Sequence, residues 1–446
     1  MKKRILAVLI ATALAVSVTG CAGNATSSSD STSASSVAES SDTSTQTSAD
    51  ASSEDESKDE SSQEESKDLE ANYTKYTLDG DLTQHMIDMS RLNEGNKVRL
   101  ANVIKKLKNG EEVTVGFIGG SITQGTSAGN DLCYAKLTAD WLQKTYSNAK
   151  INYVNAGIGA TGSYIGVHRV ANDLLSKNPD LVFVEFSVND TTENTERNKK
   201  SYDGLLRTIW KSSTNPAIIT IATTQEDGTS FQDQHAEIVK HYDLPMISYR
   251  NTILDTIKHG DIVWKDISDD NIHPNVPGHK IVSQLLQAYI SDVDNISGSE
   301  SDFTTPATDA PIENGSLIQP SSATDVTATG AFGNYEQQFG GFDGFWLFKG
   351  TSDADISATS LTFKVNAKSI GILYQKYTKA GCTADVYIDD ELVTTLNADF
   401  TGGWGNYVEC AELKSFDSAG EHTVKIVPKG LEGKASKFGV SALAIA

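Results

Sequence analysis

The sequence is poor in cysteine, in basic residues relative to acidic ones, and in long apolar runs. Only four of its 446 residues are cysteine, namely Cys21, Cys133, Cys382 and Cys410. This scarcity excludes a disulfide-rich scaffold and a cysteine-rich zinc module. The formal net charge is −22, which argues against nucleic acid as a partner because phosphate binding needs Lys and Arg.

The first 20 residues have the composition of a signal peptide. Lys2, Lys3 and Arg4 precede an apolar run over 5–18, which is too short for an ordinary membrane span. The following Val-Thr-Gly-Cys segment, 18–21, resembles a bacterial lipobox. We therefore expect cleavage before Cys21, lipidation of its sulfur, and an extracytoplasmic protein anchored to the bacterial cell membrane. Secretion with an ordinary thiol at Cys21 is the alternative.

Residues 21–70 consist mainly of Ser, Thr, Ala, Asp and Glu. They contain thirteen acids and two lysines, a net charge of −11 and half of the total. Such a segment cannot bury enough apolar surface to offset the entropy of ordering. We predict a disordered, self-repelling tether rather than an acidic binding face.

The region 71–296 alternates short apolar segments with longer amphipathic ones. The alternation predicts a three-layer αβα domain around an open, parallel, five-stranded sheet. The predicted strands are 113–118, 151–155, 181–186, 217–222 and 246–249, and the predicted helices are 134–146, 166–175, 202–212, 231–242 and 276–292.

Three motifs fall where this sheet would place a ligand, at the carboxyl ends of strands or in a loop returning over them. They are Gly-Gly-Ser-Ile-Thr at 119–123, Ser-Val-Asn-Asp at 187–190, and Asp-Asn-Ile-His-Pro at 270–274. In chemical terms, Ser121 is the candidate nucleophile, His273 its general base, and Asp270 the carboxylate that orients the imidazole. The Asn189 amide and the Ser121 N–H are candidate oxyanion donors.

Together these motifs resemble those of the SGNH, or GDSL, hydrolase family over roughly residues 95–293. The resemblance implies a serine esterase with its second oxyanion N–H in the segment 155–160. The position where the family usually has Gly is occupied here by Ala160, with Gly159 as the neighbouring candidate. Ser187 also stands where many members have Gly, which leaves Asn189 unaffected.

Other polar residues favour less specific interpretations. The sequence predicts no metal ion, since the six-residue spacing of His273 and His279 makes a poor metal pair. It predicts no cofactor, since the glycine-containing segment 119–125 lacks Gly-Lys-Ser/Thr and dinucleotide spacing. His168 and Arg169 are expected on a solvated helix face, with substrate contact as the alternative. Glu185, in an apolar strand, is either a paired buried acid or a pocket residue. Cys133 reads as a small buried residue.

From about residue 305 to 446 the pattern changes to alternating apolar and polar residues. We predict an all-β, jelly-roll-like sandwich with a hairpin turn at Asp389-Asp390. Trp346, Tyr377 or Trp404 could stack on sugar rings, although core positions are equally compatible with each. A disulfide between the two late cysteines is left open by their spacing.

The sequence thus predicts a serine hydrolase of carboxylic esters, and we hypothesise that it removes O-acetyl groups from polysaccharide. Lipase, aryl-esterase and thioesterase activities use the same mechanism, and an O-acyltransferase would use the same acyl-enzyme. A glycan-binding surface lipoprotein without catalysis is the alternative from another class. The complete set of Ser, Asn, Asp and His argues against it. Nothing in the sequence specifies the oligomeric state.

Overall fold

The computed structural model describes residues 73–446 except 192–193, 294–295, 336–337, 339, 351–355, 357 and 431–432. The predicted signal peptide, the lipidation site Cys21 and the predicted tether therefore lie outside the described residues. Within the described part of the chain, no helix has the length and apolar composition needed to cross a bilayer.

The first part of the described chain is built on a six-stranded sheet. Its strands are β1 (Arg91–Asn93), β2 (Glu112–Gly119), β3 (Lys150–Gly157), β4 (Leu181–Glu185), β5 (Ala217–Ala222) and β6 (Met246–Ser248), in the order β1-β6-β5-β4-β2-β3. The five predicted strands are present and parallel. The sheet is nevertheless not purely parallel, because β1 adds a sixth, antiparallel edge strand. This strand has three residues and no apolar run, so it gave no signal in the sequence.

Helices cover both faces of this sheet. Successive residues of β4 point to opposite sides, so Leu181 and Phe183 join one apolar cluster and Val182 and Val184 join another. Burial on both faces explains why the strand is apolar throughout. The helices are α1 (Gln84–Ser90), α2 (Val98–Lys108), α3 (Ser121–Gln124), α4 (Tyr134–Thr145), α5 (Ser163–Asp173), α6 (Thr195–Trp210), α7 (Gln232–His241), α8 (Tyr249–Lys258), α9 (Trp264–Ile267) and α10 (Val276–Ser291).

Side-chain caps fix where several helices begin. Asn194 accepts a hydrogen bond from the main chain of Arg197 and starts α6 seven residues before its predicted start. Asn275 caps α10 in the same way, with a proline in the first turn. The backbone of Asn275 is extended, as is usual for an N-cap residue, whereas that of Asn194 is left-handed, with φ 74°. The early turns of α6 are polar, so periodicity alone placed its beginning too late.

The remainder of the described chain is antiparallel β-structure. Its strands are β7 (Ser316–Ile318), β8 (Val326–Thr329), β9 (Phe332–Tyr335), β10 (Phe345–Gly350), β11 (Ser360–Lys376), β12 (Thr383–Ile388), β13 (Glu391–Asn397), β14 (Tyr407–Pro428) and β15 (Ser436–Ile445). The main hydrogen-bonded order is β13-β12-β14-β11-β15-β10-β9, with β7 and β8 pairing to β15 and β11.

Two long strands allow this sheet to fold over itself. Strand β11 pairs with β8 through its first residues and with β15 through its last, with β-bulges between them. Trp346 of β10 meets Phe363 of β11 edge to face, with ring centroids 5.1 Å apart, although these two strands are not paired. The two halves of the sheet therefore pack as a sandwich around one apolar cluster.

The cysteines of the β-structure are not bridged. Cys382 and Cys410 are free thiols, and Cys133 is a free, buried thiol in the first domain. The Cys382 Sγ instead donates to the carbonyl of Lys437 at 3.3 Å. The disulfide left open by the sequence is therefore not formed in this structure.

An apolar cluster is shared between the αβα part and the β-structure. It contains Tyr164 of α5 together with Leu373, Val408 and Ala442 of the β-strands. The connecting segment adds Phe303, whose ring stacks on Tyr242 at 3.9 Å. The two parts consequently form one compact unit rather than two separately packed domains.

Candidate active site

The candidate nucleophile lies at the turn between β2 and α3. Strand β2 ends at Gly119, and α3 begins at Ser121. A Cβ atom on Gly119 would lie 2.1 Å from the Thr123 Oγ1, and one on Gly120 would lie 2.0 Å from the Asn189 Oδ1. Because no side chain fits at either position, the two glycines let the chain turn sharply and present the Ser121 hydroxyl at a helix start.

The three predicted catalytic side chains form a hydrogen-bonded chain with His273 in the middle. The Ser121 Oγ is 2.9 Å from the His273 Nε2, and the His273 Nδ1 is 2.7 Å from the Asp270 Oδ2. Ser121 and His273 are 152 residues apart in sequence. The arrangement has the geometry of a nucleophile, a base and an orienting carboxylate.

The loop that carries Asp270 and His273 is held by its own main chain. The Asp270 Oδ1 accepts hydrogen bonds from the N–H groups of Ile272 and His273, both at 2.7 Å. Ser268 donates its hydroxyl to the carbonyls of Asp270 and His273. Partial desolvation would raise the pKa of Asp270, but the hydrogen bonds from His273 and Ile272 outweigh it and lower that pKa. Asp270 is therefore held ionised beside the imidazole.

The candidate oxyanion donors converge on the same turn. The Asn189 side chain lies against Gly120. Ala160 has a left-handed backbone with φ 57°. This is the conformation that usually favours Gly, so Ala160 adopts the backbone shape of the Gly that the family usually has here. The neighbouring Gly159 N–H is already bonded to the Gln124 Oε1 at 2.9 Å. Between the two candidates in this segment, the geometry therefore favours the Ala160 N–H.

The next residue, Asp190, holds Asn189 in place from behind. Its carboxylate is buried and bonds to the His235 Nε2 at 2.9 Å and to the Ser163 N–H at 2.8 Å. The main-chain carbonyl of Asp190 also accepts from the Asn198 side chain. These contacts link the loop after β4 to helices α5, α6 and α7, so the amide of Asn189 is presented by a rigid support.

A family model for the GDSL-like lipase/acylhydrolase family matches residues 117–281. A crystal structure of a two-domain esterase (CEX) active on acetylated mannans, co-crystallized with mannopentaose, is 30% identical, with a TM-score of 0.72. The match covers 80% of this chain and 97% of that chain. A second structure of that esterase gives the same identity and coverage with a TM-score of 0.73. The chain belongs to the GDSL-like lipase/acylhydrolase family. It is a hydrolase of carboxylic esters.

No curated protein sequence gives a significant match to this GDSL-family hydrolase. The coverage of the two-domain esterase shows that the likeness extends past the αβα domain into the β-structure.

The expectation that His168 and Arg169 lie on a solvated face of α5 was wrong. His168 and Arg169 are both buried rather than solvated. The Arg169 guanidinium donates to the carbonyls of Ala156 and Gly119, at 2.6 and 3.0 Å, and to the Asp173 carboxylate. It thereby joins the ends of β2 and β3, the strands that lead to Ser121 and Ala160. Sequence reasoning missed this role because no sequence motif indicates which arginine will be buried.

Glu185 is a buried, hydrogen-bonded acid at the end of β4, not a pocket residue. Its Oε1 accepts from the Ser187 hydroxyl and N–H and from the Thr223 hydroxyl. Its Oε2 has no hydrogen-bond partner among the described residues. Burial raises the pKa of Glu185 to about 7. The sequence left this choice open, and the contacts decide it.

A cleft of about 960 Å³ is lined at one end by the candidate oxyanion residues Ala160 and Asn189 and has walls from both the αβα part and the β-structure. From the αβα part, its other lining residues include Asn194 and Arg197. The β-structure contributes Tyr374, Lys376, Trp404, Tyr407, Glu409 and Glu412, among others. The cleft thus has one wall from each part of this hydrolase.

The three aromatic residues considered for sugar stacking have different environments. Trp346 and Tyr377 belong to the core of the β-structure. Trp404 is 73% exposed and lies on the cleft, with its ring stacked against Tyr407 at 5.1 Å. Only Trp404 among them is available to a ligand.

The described residues include one cluster whose spacing would suit a metal ion, His85, Asp255 and His259. It contains no residue of the candidate active site. Sequence spacing missed it because His85 is far in sequence from the other two.

Proposed function

We propose that this hydrolase removes O-acetyl groups from a polysaccharide, with acetylated mannan as the first candidate, through an acyl-enzyme on Ser121. The 30% identical esterase of similar two-domain build is active on acetylated mannans. The observation that carries the proposal is the cleft, which leads away from the oxyanion residues and is walled by polar and aromatic side chains.

In the first half-reaction, the Ser121 Oγ attacks the acetyl carbonyl carbon while the His273 Nε2 takes the hydroxyl proton. The negative charge that develops on the carbonyl oxygen is stabilised by the Asn189 amide and the main-chain N–H groups of Ser121 and Ala160. When the intermediate collapses, the bond to the sugar oxygen breaks and the imidazolium returns its proton to that oxygen. The products are acetyl-Ser121 and a free sugar hydroxyl.

In the second half-reaction, water attacks the acetyl group. His273 accepts a proton from the water, a second tetrahedral intermediate forms in the same donor set, and its collapse releases acetate. The Ser121 oxygen regains the proton from His273. Asp270 keeps its charge throughout and holds the imidazole with Nδ1 as the donor.

The character of the cleft favours a glycan over a long acyl chain. An acyl chain is bound by an apolar channel, whereas this cleft contains Arg197, Glu409 and Glu412, which can hydrogen-bond to sugar hydroxyls. Trp404 offers an exposed ring face, and aromatic rings bind the apolar faces of sugars while the hydroxyls find polar partners. A polymer lying in the cleft would bring one acetyl group to Ser121.

We further propose that the enzyme is held at the bacterial cell surface through a lipid on Cys21, with residues 22–70 as the tether. The support is the basic start, the apolar run and the lipobox-like segment of the sequence. Mass spectrometry of the membrane fraction should find a diacylglyceryl group on the new N-terminal cysteine. Cys21→Ala should release the enzyme from the membrane.

Acetate release from acetylated mannan and acetylated xylan tests the substrate, with an aryl acetate and an aryl octanoate as reference esters. We expect activity on the polymers and the aryl acetate, little on the octanoate, and a loss of at least about 10³-fold for Ser121→Ala on all of them. Trp404→Ala should raise the KM for the polymer far more than for the aryl acetate. A preference for the octanoate, or a Trp404→Ala effect equal on both esters, would contradict the glycan proposal.

A further inference from the structure

A second polar cluster lies outside the active site, where helices α1 and α8 meet. The His85 Nε2 is 2.6 Å from the Asp255 Oδ2, and the His259 Nδ1 is 3.3 Å from the same oxygen. The donor atoms of all three residues lie within 4.8 Å of one another. The side chains of His85, Asp255 and His259 are 4%, 13% and 17% exposed, so solvent competes little for them.

The fold fixes each of these residues before any ligand binds. Asp255 and His259 are four residues apart at the end of α8, the spacing that places two side chains on one helix face. The His259 Nδ1 also lies 3.0 Å from the Asp255 carbonyl. Helix α1, which carries His85, is joined to α8 by the Thr252 hydroxyl, which donates to the carbonyl of Met86 at 3.1 Å.

Aromatic and acidic residues surround the cluster. The Tyr73 ring stacks on His259 with centroids 4.2 Å apart and meets His85 edge-on at 5.5 Å. The Tyr73 hydroxyl donates to the Asp261 carboxylate at 2.5 Å, and the same carboxylate accepts from the Tyr76 N–H at 2.7 Å. Asp261 therefore places a second carboxylate beside Tyr73, and the ring of Tyr73 packs against both histidines.

We infer that His85, Asp255 and His259 bind one divalent transition-metal ion, of which zinc is the best match. Two imidazoles and one carboxylate are a common zinc donor set, with a fourth position for water. Two nitrogen donors disfavour calcium and magnesium, which prefer oxygen. With one carboxylate on the ion, the site would carry a net charge of +1, which Asp261 offsets.

The distances require only a small adjustment. Metal–ligand bonds of about 2.0–2.1 Å in a tetrahedron separate the donor atoms by about 3.3 Å. The His259 Nδ1 and the Asp255 Oδ2 are already 3.3 Å apart, and the 2.6 Å separation between the His85 Nε2 and that oxygen would lengthen by less than about 1 Å. The two imidazole donors, which lie within 4.8 Å of each other, would move closer. The His259 Nδ1 would give up its hydrogen bond to the Asp255 carbonyl in favour of the ion. The ion would connect the first helix after Tyr73 to α8, and no residue of the candidate active site would bind it.

Zinc titration of the untagged, chelator-treated full chain tests the inference, with a competing chromophoric chelator as the reporter. We expect one equivalent of zinc to bind and to raise the Tm, and cobalt to give the visible absorption of a low-symmetry site with nitrogen and oxygen ligands. His85→Gln and His259→Gln should each weaken binding at least tenfold and abolish the Tm rise. Their turnover of an aryl acetate should stay at the wild-type level.

A matched control is available in the β-structure, where His422 lies 2.8 Å from Asp389 without a third ligand among the described residues. His422→Gln should keep both the zinc stoichiometry and the Tm response. If the His85 variant does not fold, the His259 variant and the cobalt spectrum of the wild-type chain still decide the question. Absence of zinc binding at micromolar concentrations, or equal binding by all three variants, would overturn the site.

Discussion

Ala160 is a candidate oxyanion residue that would act through its main-chain N–H rather than through its side chain. Its left-handed backbone, with φ 57°, is a conformation that costs a residue with a Cβ about 1 kcal/mol or more. This residue lies in the turn after β3 and lines the cleft. The methyl group itself has no chemical part in the proposed reaction.

Replacing Ala160 with Gly should therefore preserve turnover. We expect Ala160→Gly to keep kcat on an aryl acetate within about twofold and to leave the free energy of unfolding unchanged or raised by up to about 1 kcal/mol, since relief of strain competes with the greater freedom of Gly in the unfolded chain. Steady-state kinetics and urea unfolding measure the two quantities.

The contrasting variant is Asn189→Ala, which removes a side-chain donor. Loss of one oxyanion donor typically lowers kcat by about 10²–10³-fold, so this variant should lose activity while Ala160→Gly does not. A large loss in Ala160→Gly would show that the methyl group, rather than the N–H, matters at position 160.

At this scale the sequence predicted the reacting groups but not their supports. Ser121 and Asn189 stand in short motifs at strand ends, Asp270 and His273 stand in a motif of the loop before α10, and the structure brings all four together. Arg169 was expected on a solvated face, yet it bonds two main-chain carbonyls. Carbonyl groups are present at every position, so no sequence pattern indicates which of them a guanidinium will meet.

At the scale of elements, the end of β4 combines an acid with an apolar strand. Glu185 accepts three hydrogen bonds through one oxygen and has none on the other among the described residues. Its pKa of about 7 lies above the value of 4.5 for the free side chain. The folded chain therefore retains a proton that the unfolded chain releases between these two values.

This difference makes stability depend on pH. As pH rises from 4.5 to 7, ionisation favours the unfolded chain, so the free energy of unfolding should fall in this window and level off above it. Glu185→Gln, which is neutral at every pH, should gain stability relative to wild type across the window, by on the order of 3 kcal/mol. Urea unfolding at pH 4.5, 6 and 8 measures the change.

Glu112→Gln is the matched control, because that glutamate lies exposed at the start of the neighbouring strand β2. Its stability relative to wild type should not rise across the same range, since the pKa of Glu112 is lowered by hydrogen bonds from Asn152 and Lys150. A constant difference between wild type and Glu185→Gln would mean that Glu185 is ionised in the folded chain.

The hairpin between β12 and β13 gives a second prediction at this scale. Asp389 and Asp390, the two residues of its loop, have φ of 52° and 66°, as a type I′ turn requires. Asp389 is held by the His422 ring and the Thr423 N–H. Asp390→Gly should therefore raise the Tm, with a gain of about 0.5–1 kcal/mol, whereas Asp390→Val should lower it.

Element boundaries were less predictable than element identities. The five apolar strands are found close to their predicted positions because their apolar side chains join the two clusters that cover the sheet, although the edge strand β3 is only half-buried along most of its length. Strand β1 and helices α1, α2, α8 and α9 were not predicted. They are short or largely polar, and their places depend on contacts with distant residues such as that between Thr252 and Met86.

At the scale of the whole molecule, the αβα part and the β-structure depend on a common core. Tyr164 is buried beside strands of the β-structure, and a Cβ on Gly371 would lie 1.9 Å from its hydroxyl oxygen. The connecting segment is fixed by the ion pair of Arg207 with Glu313 at 2.6 Å. Sequence patterns predicted both parts. The contacts between them could not be predicted, because they join residues that are far apart in the sequence.

Removal of residues 305–446 should consequently damage the enzyme as a whole. The truncated chain would expose the shared apolar cluster, so we expect aggregation or a clearly lower Tm and a loss of aryl acetate turnover, not only of polymer binding. Full-length Trp404→Ala, which alters the cleft without opening the core, should keep its Tm. A soluble truncated chain with wild-type turnover would show that the β-structure is an independent module.

The shared core also restricts how this enzyme can change its specificity. One wall of the cleft belongs to the β-structure, which shares the apolar cluster around Tyr164 with the αβα part. Exchanging the β-structure for an unrelated module to obtain a new binding preference would therefore require new packing around Tyr164. Point substitutions at solvent-facing positions such as Trp404 are the route to another polymer that leaves this shared apolar cluster intact.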